Sequence, residues 1–84
     1  MKSLNFTQLQ LLLQNDELHY LSDDNGSSTP ETIQQHTDIL NQPPTFILYE
    51  YTIHDFTHTR NTLRNNNIKH SVYTDSNDMD YIMI

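Results

Sequence analysis

Apolar residues recur along this chain in two periods, and they divide it into short elements. Leu4, Phe6, Leu9, Leu12 and Leu13 return at helical spacing, so the pattern predicts a helix capped by Ser3 and running through Gln14. Asn15-Asp16 closes it, and Glu17 to Leu21 alternates as a short strand. Asp23 to Thr29 is a loop that holds the only glycine. Thr29-Pro30-Glu31 then opens a second helix: a capping hydroxyl, a proline at the first helical position and an acid in the first turn. On that helix Ile33, His36 or Thr37, and Leu40 share the inward face, while Gln34, Gln35 and Asp38 face out. Asn41-Gln42-Pro43-Pro44 stops it.

The most strand-like run follows, Phe46 to Ile53, apolar enough to be central in a sheet. Residues 54 to 67 admit two readings. Phe56-Thr57-His58-Thr59 and Thr62 favour an extended edge strand, whereas Asp55, Phe56, Thr59, Arg60 and Leu63 fit a polar helix ending on Asn65-Asn66-Asn67. Ile68 to Thr74 alternates again, and Asp75-Ser76-Asn77-Asp78 turns it into Met79 to Ile84 as a terminal hairpin. Together these elements predict a single α+β domain over residues 1–84, a two-layer fold with helices packed on a mostly antiparallel sheet.

Composition narrows the function. A chain of 84 residues buries roughly 60 to 65 % of its unfolded surface, which leaves little room for a deep catalytic cleft. Its apolar fraction is only 35 % and its mean hydropathy −0.71, but five tyrosines and three phenylalanines argue for a folded, marginally stable domain. Eleven acids against four bases give a formal charge of −7. Nucleic-acid binders need the opposite sign, so the charge speaks against direct DNA or RNA binding and suits either a bystander or a partner with a positive groove. The absence of cysteine excludes disulfides, thiol nucleophiles and Cys-type zinc sites. Leu11-Leu12-Leu13 is too short for a signal peptide or membrane span, so a cytoplasmic location is expected.

Few motifs carry chemistry. His54, Asp55 and His58 form an H-D-x-x-H pattern that would put two ligands on one helical face, but no third ligand is evident and a histidine-rich surface explains it better. No Gly-rich phosphate loop, G-x-S-x-G or H-E-x-x-H is present, and the expectation is a protein with no enzymatic activity, metal or cofactor. The acids gather at Asp23, Asp24 and Glu31 around one strand-to-helix loop, where they could follow the phosphates of one DNA strand.

This order of elements, with Ser22-Asp23-Asp24 after the first strand, a Pro-Glu-led helix, a long apolar strand and an Asp-Ser-Asn hairpin, resembles the phage-type uracil-DNA glycosylase inhibitors. The stretch Tyr73 to Tyr81 (YTDSNDMDY) is similar to the final hairpin of the staphylococcal branch, with its acidic turn and Asp-Met-Asp-aromatic step. The resemblance implies two helices against about five antiparallel strands, in the order α-β-α-β-β-β-β, and so places a strand in residues 54 to 67. A third helix at 55–66 is the alternative. It also implies a DNA mimic that binds the glycosylase as a one-to-one heterodimer, is monomeric when free, and acts inside a bacterial host on behalf of a phage or mobile element. Ser22, Asp23, Asp24, Glu31, Gln35 and Asp38 would form the acidic or polar edge. Ile33, His36, Thr37, Leu40, Ile47 and Tyr49 would line an apolar pocket for the leucine the enzyme inserts into the minor groove. The chain departs from the family in carrying Gln34 and Gln35 where members carry glutamates, and in reordering the acid-serine motif. The charge alone also fits a mimic aimed at another enzyme, an anti-restriction or anti-CRISPR protein, or a small interaction module with a helix at 55–66.

Overall fold

A computed structural model describes residues 5–23 and 28–84. Its elements run α1 (Phe6–Leu13), β1 (Leu18–Tyr20), α2 (Pro30–Leu40), β2 (Phe46–Tyr49), α3 (Phe56–Asn65), β3 (Ser71–Thr74) and β4 (Asp80–Met83), with short 3-10 turns at Leu21–Asp23 and Glu50–Thr52. The four strands form one antiparallel sheet in the order β1-β2-β4-β3. The α+β class therefore holds.

The local chemistry explains most boundaries. Asn5 starts α1 by accepting from the backbone N–H of Gln8, whose side chain returns the bond to Asn5; the expected cap Ser3 lies outside the described residues. Thr29 caps α2 through a box with Thr32, and Pro30 occupies the first turn. Asn41 ends α2 in the left-handed region, φ 57°, donating its N–H to the carbonyl of Thr37. An asparagine tolerates that backbone better than most non-glycine residues do.

One expectation is overturned. Residues 54 to 67 hold no strand: they fold as α3, the alternative helix, and the sheet has four strands where about five were expected. Asp55 caps the helix by accepting from the N–H of His58, and Thr59 and Leu63 turn inward one helical turn apart. A strand would have sent Phe56 and Leu63 to opposite faces, because their separation is odd. The β2 run is also shorter than expected, since Glu50–Thr52 turns away after Tyr49.

Helices cover both faces of the sheet, so the two expected layers become three. Leu18, Leu48 and Ile82 point to one face, where Leu9 and Leu13 of α1 and Leu63 of α3 complete a core with Phe46 and Ile68. Ile47, Tyr49, Tyr73, Tyr81 and Met83 point to the other, and Ile33 of α2 packs there. All four residues of β2 are buried, as its unbroken apolar run requires. At the end of β4 Ile84 exchanges backbone hydrogen bonds with Phe46. Every residue from Tyr81 to Met83 is almost wholly buried, which makes the closing hairpin a structural part of the sheet.

Candidate partner-binding surface

The facing of α2 follows its sequence. Glu31, Gln35 and Asp38 are exposed on one side, at spacings of four and three that place them on a common helix face. Gln34 supports this side by donating to Asp38 Oδ1 at 2.8 Å. On the opposite side Ile33, Thr37 and Leu40 are half-buried and His36 is completely buried. Ser22 and Asp23 are exposed on the 3-10 turn that follows β1; Asp24 lies outside the described residues.

The residues expected to line an apolar pocket occupy different depths. His36 and Ile47 have no exposed surface, and Tyr49 is buried with its ring against those of His19 and Tyr51, so these three side chains belong to the packed interior. Thr37 turns its hydroxyl back to the carbonyl of Ile33. Leu40 alone of the six borders a shallow groove, of about 380 Å³, shared with Ile68 and rimmed by Arg64, Asn67, Lys69 and His70.

Charge is segregated along the chain. Residues 56 to 74 contain Arg60, Arg64 and Lys69 and no acid, whereas all eleven acids and Lys2 lie outside that segment. The cations among the described residues thus belong to α3 and the turn after it, and α2 carries none.

Tertiary pairing also gathers acids that the sequence separates. Tyr49 is opposite Tyr81 in the β2–β4 ladder, so Glu50 and Asp80 meet at the same end of the sheet, where the N–H of Asp80 donates to Glu50 Oε2 at 2.9 Å. Asp75 is committed to the hairpin turn, its Oδ1 accepting from Asn77 and Met79. Sequence reading missed the Glu50–Asp80 neighbourhood because nothing local says that β2 pairs with β4.

The H-D-x-x-H pattern resolves into structure. Asp55 is the α3 cap, and the backbone of His54 donates to Asp16 Oδ1 at 2.6 Å. Among the described residues no group of three or more histidines and acids is placed to hold a metal. A cavity of about 210 Å³ lies where α1 meets α3, walled by Asp16, His54, His58 and Thr62. Asp16, which sequence reading treated only as a helix stop, is buried there and also accepts the hydroxyl of Thr59.

Comparison with known proteins finds no matching family model, curated protein or solved structure. The functional reading therefore rests on this surface and on the sequence resemblance.

No helix among the described residues is long and apolar enough to cross a membrane. The described acids of the expected edge, Asp23, Glu31 and Asp38, are all solvent-facing and held apart from the basic helix α3 in sequence. Such a surface can attract a cationic groove at a distance and pair with it on contact.

Proposed function

We propose that the protein is a non-enzymatic inhibitor that sets carboxylates into the DNA-binding groove of a partner enzyme, and that uracil-DNA glycosylase is that enzyme. The observation that carries the proposal is the exposed, cation-free acidic face of α2 in a chain whose described cations all lie between residues 60 and 69. Glu31 and Asp38 stand two helical turns apart, ~10 Å along the axis, or about three nucleotide steps of one DNA strand. Two charges over that span make a sparse mimic, so pairing with the enzyme's phosphate-binding donors must be supplemented by contacts elsewhere. The groove at Leu40 would receive an apolar side chain from the partner, whereas His36 and Ile47 serve the core.

The choice of uracil-DNA glycosylase rests on the resemblance of Ser22 to Glu31 and of the closing hairpin. Helix α3 favours a second reading, because it stands where the resemblance implied a strand: an acidic interaction module whose partner is another protein with a cationic surface. One assay separates them. Purified protein in excess is mixed with a bacterial uracil-DNA glycosylase and a uracil-containing oligonucleotide. Inhibition that weakens with added salt supports the first reading; undiminished cleavage ends it.

A further inference from the structure

The one fully buried side chain of α2 is polar, and its surroundings are unusual for a histidine. His36 is 0 % exposed at the centre of the helix–sheet contact. Its Nδ1 bonds to the hydroxyl of Ser71 at the start of β3, and its Nε2 has no hydrogen-bond partner among the described residues. Either neutral tautomer leaves Nε2 unsatisfied, as a buried donor or a buried acceptor. Protonation improves nothing: the imidazolium would carry a full charge with one N–H still unpaired, inside an interior that penalises unpaired charge heavily.

We propose that His36 makes α2 a latch that acid releases from the sheet. Burial and the neighbouring His70 both favour the neutral form of the ring. From the segment leading into β3 comes His70, whose Nδ1 bonds to the carbonyl of Ile68. From β3 come the uncharged Ser71 and Tyr73, and from β2 and β4 the apolar Ile47 and Met83 of the same sheet row. Beyond Leu40, one turn along α2, the groove adds Arg64 and Lys69. The acids of α2, Glu31 and Asp38, face solvent. Burial first, and His70 second, hold the His36 pKa below its ordinary value of 6.5.

The direction of the pH effect follows from linkage. A base whose pKa is depressed in the folded state takes up a proton more readily once unfolded or detached. Stability is then intact above about pH 6.5 and declines as pH falls from there towards the lowered value. Because α1 and α3 pack on the opposite face with their own core, α2 can detach while that core persists. Release would carry Glu31, Gln35 and Asp38 away from their fixed positions, so the effect holds whatever partner they serve.

Amide hydrogen exchange resolved by element tests this on the intact chain. Between about pH 7.5 and about pH 5.5 the protection factors of α2 should fall several-fold, bounded at about tenfold per pH unit for one proton, while those of α1 and α3 hold. His36→Gln, which keeps a partner for Ser71 but cannot charge, should abolish the fall, and His70→Gln should reduce it. Protection that is flat with pH, that falls equally in all three helices, or that falls unchanged in His36→Gln overturns the proposal. Should the variant not fold, an NMR titration of the His36 ring in the wild type decides: a midpoint at or above 6.5 overturns it, and one clearly below supports it.

Discussion

The carboxylate of Asp16 accepts the hydroxyl hydrogen of Thr59, 43 positions further along the chain, while its other oxygen accepts the backbone N–H of His54. One buried side chain thereby ties the end of α1 to the start of α3 and closes the face of the sheet those helices share. Removing it leaves two donors without acceptors in a site that is 5 % exposed. Asp16→Ala should cost about 3 kcal/mol and lower Tm by roughly 10 °C or more, with Asp16→Asn costing less because one acceptor survives. Thermal unfolding followed by circular dichroism checks this; a Tm within a degree or two of wild type would show the clip to be dispensable.

The left-handed backbone of Asn41 yields a second expectation. Its φ of 57° carries a steric penalty for any residue with a Cβ, which asparagine partly escapes. Asn41→Ala should lose about 1 kcal/mol, whereas Asn41→Gly should match or slightly exceed wild type. Urea midpoints for the two variants give the comparison, and equal losses would place the cost elsewhere.

The β2–β4 pairing brings Glu50 to Asp80, whose backbone N–H donates to Glu50 Oε2 while its own carboxylate accepts the hydroxyl of Thr74. Glu50→Gln keeps an oxygen to accept that N–H and removes a like charge. The variant should be at least as stable as wild type at low salt, and the gap between them should narrow as salt is added. A loss of stability at low salt would mean that the charge on Glu50 strengthens this bond more than it repels Asp80.

In the proposed complex with uracil-DNA glycosylase, Leu40→Asp should weaken binding more than Asp78→Asn does. Leu40 borders the apolar groove and is half-buried, whereas Asp78 is exposed at the tip of a turn. A titration by calorimetry ranks them, and equal or reversed losses would remove the groove from the interface. Glu31→Gln with Asp38→Asn should act differently, slowing association and flattening its salt dependence more than it speeds dissociation.

Several features of this protein were legible in its sequence because they depend on neighbours within a turn or two. Thr29-Pro30-Glu31 announces α2, the spacing of Ile33, His36 and Leu40 assigns its inward face, and the alternation of Ile68 to Thr74 with the Asp75–Asp78 turn into Met79 to Ile84 draws the last hairpin. The outward set Gln34, Gln35 and Asp38 follows from the same period. What local pattern left open, packing decided. Residues 56 to 65 satisfy both helical and strand patterns, and the helix prevails because Asp55 caps it and Leu63 and Thr59 then meet α1 and Asp16 on the same side. The burial of His36 against Ser71, the clip at Asp16 and the meeting of Glu50 with Asp80 each join residues 30 or more positions apart. Such contacts depend on which strands pair and on which face each helix lands, and those choices belong to the whole fold.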